Sequence, residues 1–234
     1  MKVWRSLIGV AGLLWGHAVL AATLDGASIA HQGNGHGAVP CLACHGADGG
    51  GLAAPGFPRL AGLPAAYLRK QLDDFAAGKR QNASMQPIAM SLSEDERAAV
   101  AAYYSGLPVP AQQPASAMDA AQKAAGEALA ARGRWSQGLP GCAQCHGPGG
   151  IGVGEHFPPL VGQSANYLAS QLHAWQQGTR NNDPLQLMHS VAGKLNDTDI
   201  TAVSAWYAAQ PTTTQPVTAA QVDSSQGDHS PGGH

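Results

Sequence analysis

The chain has 234 residues and a formal net charge of −2, and charged side chains make up only 12% of it. This length accommodates one large domain or two small ones, and the charge excludes the strongly basic surface typical of nucleic-acid-binding proteins. Glycine is abundant, with 30 residues, whereas aromatic residues amount to 6%. Few large side chains are therefore available to fill one extended core.

The N-terminus has the three parts of a secretory signal peptide. Lys2 and Arg5 precede a largely apolar stretch over 7–20, and the small residues Ala21 and Ala22 follow it. The apolar stretch is shorter than the roughly 20 residues that a membrane span needs, which disfavours an uncleaved anchor. We predict a signal peptide over 1–21, cleavage after Ala21 and export to the periplasm.

Three helices are predicted in the first half of the mature chain. The first is short, near 27–31, because glycines follow it. The second covers 64–77, with Pro64 suited to its first turn and Gly78 just past its end. The third begins at Ser93, which forms a capping box with Glu96, and ends before Gly106.

A proline-rich linker over 108–118 separates this half from a second set of three helices. These are predicted over 119–132, from Ser164 to Gly178 and from Asn196 to just before Pro211. No stretch alternates between apolar and polar residues as a half-buried strand would. The segment 211–234 is rich in Thr, Gln, Ser, Gly and Pro and is predicted to be a disordered polar tail.

The two halves of the chain are copies of one unit. Matching positions include Phe57, Pro58, Leu60, Gly62, Tyr67, Gln71, Phe75, Gly78 and Arg80 with Phe157, Pro158, Leu160, Gly162, Tyr167, Gln171, Trp175, Gly178 and Arg180. The second half gains three residues around Asn181–Asp183. The repeat predicts an all-α fold with an N-terminal domain over 22–107 and a C-terminal domain over 119–210.

The pattern C-x-x-C-H occurs once in each half, at Cys41, Cys44 and His45 and at Cys142, Cys145 and His146. Two thiols at this spacing can join the two vinyl groups of one haem, and the histidine can ligate its iron. A disulfide or a zinc site is the alternative. The histidine directly after each pair disfavours a disulfide, and the offset of 101 positions from Cys41 to Cys142 disfavours zinc. We predict two covalently attached haem c groups, whose bulk would complete each small core.

Methionines are the candidates for the sixth ligand of each iron, since Met ligation is common in electron-transfer haem proteins. Met188 is the single methionine of the second half, and it aligns with Met85, which the repeat therefore favours over Met90. The alternative role of these methionines is core filling. Rival ligands in the second half are His156, His173 and His189.

With these motifs in this order, twice over, the chain resembles the dihaem cytochrome c4 family from about Gly26 to Ala209. The resemblance implies two tandem cytochrome c-like domains in which His45 and His146 pair with methionine across each iron. It also implies that the carbonyl oxygens of Pro58 and Pro158 accept from the Nδ1–H of the two histidines. The added residues before Met188 and the long tail depart from the family pattern.

Iron with both axial positions filled has no open site for a substrate, which favours electron transfer over catalysis. We predict a periplasmic carrier that passes single electrons from a quinol oxidoreductase or a dehydrogenase to a terminal oxidase, with peripheral membrane association left open. The alternative is the cytochrome subunit of a dedicated sulfide- or alcohol-oxidising dehydrogenase. A dihaem enzyme is disfavoured, because the four cysteines are all used by the two motifs.

Overall fold

The structure, a computed structural model, describes residues 25–111 and 117–212. The predicted signal peptide, the middle of the predicted linker and nearly all of the predicted tail lie outside these ranges. Within them the chain is helix-rich and forms two consecutive domains, as the repeat predicts. None of the described helices combines the length and the apolarity that a membrane span requires.

Each domain contains five α-helices in the same order, and the second domain adds two short 3₁₀ helices, Trp135–Gln137 and Pro148–Gly150. The first domain has α1 (Gly26–Gln32), α2 (Leu42–His45), α3 (Ala65–Ala76), α4 (Met85–Ser91) and α5 (Glu94–Gly106). The second domain has α6 (Ala120–Ala131), α7 (Ala143–His146), α8 (Ala165–Gln176), α9 (Leu187–Ala192) and α10 (Asp197–Ala209). A small antiparallel hairpin, β1 (Gly133–Arg134) and β2 (Leu139–Pro140), lies between α6 and α7.

Side-chain caps explain where the long helices begin. The Ser93 side chain accepts from Glu96 N at 3.2 Å and the Glu96 carboxylate accepts from Ser93 N at 2.7 Å, which completes the predicted capping box. Asn196 and Asp199 form the equivalent box at α10. The six predicted helices are confirmed to within about two residues at their ends.

The sequence analysis did not predict the helices α2, α4, α7 and α9 or the hairpin. These four helices have four to seven residues, and none has a side-chain cap at its N-cap position. The hairpin has two residues in each strand, which is too few to produce a visible alternation. Short elements of this kind depend on tertiary contacts more than on local propensity.

A close helix crossing organises each domain. Helix α1 packs on α5, and α6 packs on α10. At the crossings a Cβ added to Gly26 would lie 2.1 Å from the carbonyl oxygen of Ala99, and one added to Gly126 would lie 2.5 Å from that of Ala202. Glycine at both positions therefore lets the helix backbones touch.

The cores sit between these crossings and the second long helix of each domain, α3 or α8. In the second domain one cluster joins Leu129, Leu168, Ile200 and Tyr207. The first domain divides its buried side chains between two clusters, one around Leu68 and Tyr104 and one around Ile29, Leu92 and Val100. The core of each domain therefore contains side chains from the first and the last helix of that domain.

Candidate haem sites and the interface between them

A single helical turn presents each C-x-x-C-H motif. In the first domain Cys41 lies at the N-cap of α2, and His45 N donates to Cys41 O at 2.9 Å. In the second, His146 N donates to Cys142 O at the same distance. One turn of helix places residues i, i+3 and i+4 on neighbouring parts of its surface. Both thiols and the imidazole can therefore face one planar group.

One ring nitrogen of the first histidine, His45, is engaged in a hydrogen bond. His45 is buried, and its Nδ1 donates to the carbonyl oxygen of Pro58 at 2.9 Å. A carbonyl oxygen can only accept, so the proton lies on Nδ1 and the lone pair of Nε2 is free for a metal. Burial lowers the pKa of the imidazole, which keeps it in the neutral form that ligates iron.

The second histidine has the same arrangement with one electrostatic difference. His146 Nδ1 donates to Pro158 O at 2.8 Å. Burial lowers the pKa of His146, and the positive charge of Arg180 lowers it further. No arginine contributes to the pKa shift of His45. The second site therefore lies within electrostatic reach of a buried guanidinium.

No disulfide joins the four cysteines, which lie within the described ranges, so all four are available for attachment of a cofactor. Burial raises the pKa of Cys41 and raises that of Cys142 to about 11, so these two thiols are protonated and uncharged at neutral pH. Neutral thiols beside an apolar cluster suit addition to a vinyl group. In the described ranges no group of three or more His, Cys, Asp or Glu side chains is placed to hold a metal ion such as zinc.

The two candidate methionines lie in the first turns of α4 and α9: Met85 is the first residue of α4, and Met188 is the second residue of α9. Met85 N donates to Asn82 Oδ1 at 2.9 Å, and Met188 N donates to the carboxylate of Asp183. Both methionines are half-buried, whereas Met90 is 64% exposed. Asn82 and Asp183 therefore position the backbone that carries each methionine.

The rival histidines of the second domain are exposed or lie beside other polar groups. His189 is exposed and its Nδ1 donates to Trp175 O at 3.1 Å, while His173 Nδ1 lies 3.1 Å from Gln176 Oε1. His156 is exposed. The exposure of His156 and His189 and the partial burial of Met188 favour the methionine, and the ligation of both irons by methionine stays a prediction.

The two domains meet at a buried polar cluster, which we call the arginine seam. It consists of Tyr67, Gln71, Arg80, Tyr167, Gln171, Arg180 and Asn182. Arg80 and Arg180 pair through an antiparallel β-bridge, and each guanidinium crosses to the other domain. Arg80 Nη2 donates to Tyr167 OH at 2.8 Å, and Arg180 Nη2 donates to Tyr67 OH at 3.3 Å.

A second interdomain contact lies directly beside the Pro58 loop. Arg59 N donates to Gln163 Oε1 at 3.0 Å, and Gln163 Nε2 donates to Arg59 O at 2.9 Å. The Arg59 side chain donates to the carbonyl oxygens of Val161, at 3.1 Å, and Gly162, at 3.3 Å. Burial lowers the pKa of this guanidinium to about 10. The loop that orients His45 is thereby tied to the second domain.

The sequence analysis missed both contacts, although one carried a signal. Tyr67, Gln71 and Arg80 are polar positions that are identical in the two halves, which a repeat of core positions alone does not require. Arg59 and Gln163 gave no such signal, because their counterparts are Pro159 and Leu63.

The residues fit a haem c group in each domain. Two thiols and an imidazole with a free Nε2 match the attachment and one axial position. Haem also carries carboxylates, which could accept a hydrogen bond from a buried donor that has no acceptor in the protein. Trp175 Nε1 is buried without a partner, and the guanidinium of Arg180 stacks on its ring at 3.9 Å.

Comparison with known proteins agrees with this geometry. The cytochrome c family model matches residues 31–108 and 123–209. The thiosulfate dehydrogenase electron acceptor of Stutzerimonas stutzeri is 50% identical over 86% of this chain and 93% of its own length. The cytochrome c4 of Pseudomonas aeruginosa is 41% identical over 72% of this chain and 83% of its own.

Two solved structures are similar. A thiosulfate dehydrogenase from Marichromatium purpuratum has a TM-score of 0.75 and 46% identity, and the match covers 80% of this chain but only 40% of that longer one. Cytochrome c4 from Pseudomonas stutzeri has a TM-score of 0.65 and 38% identity over 72% of this chain and 92% of its own. The chain belongs to the cytochrome c family as a cytochrome c4-like electron carrier with two tandem domains and two covalent haem c groups.

Proposed function

We propose that this protein is a periplasmic carrier that takes its electrons from a thiosulfate-oxidising dehydrogenase. The observation that supports the proposal most is the 50% identity to a thiosulfate dehydrogenase electron acceptor over 93% of that protein. A second such acceptor, from Thiomonas intermedia, is 53% identical over 80% of its length. Both identities exceed the 41% shared with cytochrome c4 from Pseudomonas aeruginosa.

Bound haem supplies one-electron redox chemistry at its iron. The chain's own contribution is to hold each group rigidly and to fill its coordination positions. His45 and His146 would each ligate one iron, Met85 and Met188 would supply the second protein ligand, and the four cysteines would attach the groups covalently. The hydrogen bonds from the two histidines to Pro58 and Pro158 fix the ring orientations.

Two centres in one chain suit this donor. The simplest oxidation of thiosulfate joins two ions through a new S–S bond and releases two electrons. A protein with two one-electron sites accepts both electrons before it leaves the enzyme. It then passes them on singly to a later acceptor, for which a terminal oxidase is the candidate of matching chemistry.

A single-turnover experiment tests the proposal. Oxidised holoprotein is mixed with a purified thiosulfate dehydrogenase and thiosulfate, and haem reduction is followed by absorbance. We expect rapid reduction of both haems that requires enzyme and substrate together. A single-haem cytochrome c of similar potential is the control. If it is reduced as fast as this protein, the proposed donor is wrong.

A second candidate function is that of a general carrier between a quinol oxidoreductase and a terminal oxidase, supported by the cytochrome c4 relatives. The same experiment with a quinol-oxidising complex as donor separates the two. Faster reduction by the quinol-oxidising complex than by the thiosulfate enzyme would favour this second role. Co-purification with a flavin- or quinone-bearing sulfide or alcohol dehydrogenase would instead favour a dedicated subunit.

A further inference from the structure

One peptide group of the first domain lies between the histidine of its haem motif and the second domain. The oxygen of the peptide that joins Pro58 to Arg59 accepts from His45 Nδ1 at 2.9 Å. The N–H of the same peptide donates to Gln163 Oε1 of the second domain at 3.0 Å. Two hydrogen bonds therefore run in series from the histidine, through one planar amide, to a side chain of the other domain.

This peptide group has little freedom to turn. Gln163 also donates from Nε2 to Arg59 O at 2.9 Å, so its amide pairs with both backbone polar groups of that residue. Gly51 packs so closely against the peptide that an added Cβ would lie 2.6 Å from Pro58 C and from Arg59 N. Gln163 is 5% exposed, and a buried N–H needs a partner from the protein. The second domain therefore supplies the partner that this peptide requires.

The second domain lacks the equivalent series of hydrogen bonds. His146 Nδ1 donates to Pro158 O at 2.8 Å, but the nitrogen of that peptide belongs to Pro159, which has no N–H to donate. The position of the first domain that matches Gln163 is Leu63, whose side chain cannot accept. The two histidines thus have the same kind of acceptor, and one of these acceptors has an interdomain partner through its peptide N–H.

Hydrogen bonds that share a peptide group polarise one another. Donation by the Arg59 N–H increases the negative charge on Pro58 O, which strengthens the bond that this oxygen accepts. A stronger bond at Nδ1 raises the basicity of the imidazole as an iron ligand. We propose that Gln163 is a positioning residue for the haem of the other domain, and that it acts by polarising the peptide to which His45 donates. A more basic ligand favours the oxidised iron, so this contact lowers the reduction potential of the first haem.

Nuclear magnetic resonance of the reduced, isotopically labelled holoprotein tests this role, because it observes the Nδ1–H of each histidine separately. Gln163→Leu removes the acceptor and installs the residue of the first domain. We expect hydrogen exchange of the His45 Nδ1–H to become about tenfold faster, as the loss of roughly one hydrogen bond's net stabilisation requires. Its proton resonance should move upfield, and the Nδ1–H of His146 should be unchanged.

A redox titration supplies the second readout. Gln163→Leu should raise the first haem's potential by roughly a threefold change in its reduction equilibrium, about 28 mV at 59 mV per tenfold change. Asn166→Ala is the matched control, because Asn166 also donates from a side-chain amide to the first domain, at 3.1 Å, but to a different peptide, through Ala53 O. This control should change neither the exchange rates nor the potentials.

Gln163→Glu should have the opposite effect. Its carboxylate keeps an acceptor for the Arg59 N–H and is a stronger acceptor than an amide. The His45 Nδ1–H resonance should therefore move downfield, and the first haem's potential should fall. This variant decides the question by itself if Gln163→Leu does not load haem. The proposal is overturned if the variants that load haem leave the His45 resonance unchanged, or if His45 and His146 respond alike, as a general loosening of the interface would require.

Discussion

The two domains share one repeat, yet they differ where they meet each other and where they carry their methionines. Helices α3 and α8 match in length and position, and each domain holds its histidine with the same hydrogen bond to a proline carbonyl. The second domain has gained three residues before Met188 and a tryptophan in place of Phe75. The two halves therefore share the residues that hold a haem, and they differ in the length of the methionine loop and in one aromatic side chain.

The methionine loops show the difference in detail. In the first domain the side chain of Asn82, three residues before Met85, accepts a hydrogen bond from Met85 N. In the second domain the carboxylate of Asp183, five residues before Met188, accepts from Met188 N. Gln186, which lies between these two residues, has a φ of 58°. It is the one non-glycine residue of the described chain in the left-handed region. The longer loop is accommodated by local strain.

Removing the attachment thiols is the strongest test of equivalence between the domains. Cys142→Ser with Cys145→Ser should reduce the covalent haem content from two groups to one per chain, because a hydroxyl does not form the thioether. Cys41→Ser with Cys44→Ser should have the same effect. A pyridine haemochrome assay measures the content. A ratio that stays at two in either variant would exclude the assigned motif.

Removing each candidate methionine tests whether the domains use the same ligand. Met188→Ala should lower the potential of the second haem by at least about 59 mV, a tenfold change, since methionine raises the potential relative to other ligands. The first haem should be nearly unchanged. Met85→Ala should do the reverse, and Met90→Ala is the exposed control. Intact methionine ligation at both irons in Met188→Ala would refute the assignment.

The helix crossings provide a test of structural equivalence. Gly126→Ala should destabilise the protein by about 3 kcal/mol, because overpacking forces the backbones of α6 and α10 apart. The new Cβ would lie 2.5 Å from Ala202 O. Gly26→Ala should cost about as much. Urea unfolding measures both, and Gly106→Ala, where a Cβ meets nothing within 4 Å, is the control.

The contact between Arg59 and Gln163 joins the two domains through residues that differ between the two halves of the repeat. Gln163→Leu installs the residue that the first domain has at Leu63, and it leaves Arg59 N and O without their partners. We expect a loss of about 2 kcal/mol, since buried unsatisfied groups cost roughly 1–3 kcal/mol. Gln177→Leu, at an exposed position, is the control in urea unfolding. Equal stability of the two variants would show that the contact contributes nothing.

The smallest expected effect concerns acid stability. Arg134 donates to Asp199 at 2.7 Å and lowers the pKa of that carboxyl below its ordinary value of 3.8. The first domain has Asn34 and Glu96 in these places, 3.3 Å apart. A lowered pKa stabilises the fold above about pH 4, and this contribution is lost as the pH falls through the folded-state pKa.

Asp199→Asn should therefore cost about 1 kcal/mol at pH 7 and reduce the loss of stability between pH 5 and about pH 3. Asp197→Asn, at a side chain that is 92% exposed, is the control in acid titrations followed by circular dichroism. If the two variants lose stability in parallel on acidification, the pair with Arg134 is not responsible.

Structural features that depend on residues close together in the chain could be predicted from the sequence. The capping box at Ser93 was read from two residues three positions apart, and the structure contains it. The two-domain architecture and the cofactor followed from the repeat and from C-x-x-C-H. The short helices α2, α4, α7 and α9 were not predicted, because one or two turns carry too little periodic signal.

The sequence by itself determined the family, the number of haem groups and the candidate ligands, because attachment uses residues within a single helical turn. Only the tertiary structure decided which side chains join the domains. Arg80 and Arg180 lie 100 positions apart and pair across the seam, and Asn182 reaches Gln71 from the added loop. Contacts of this range arise when two folded domains dock, and no local pattern encodes the docking.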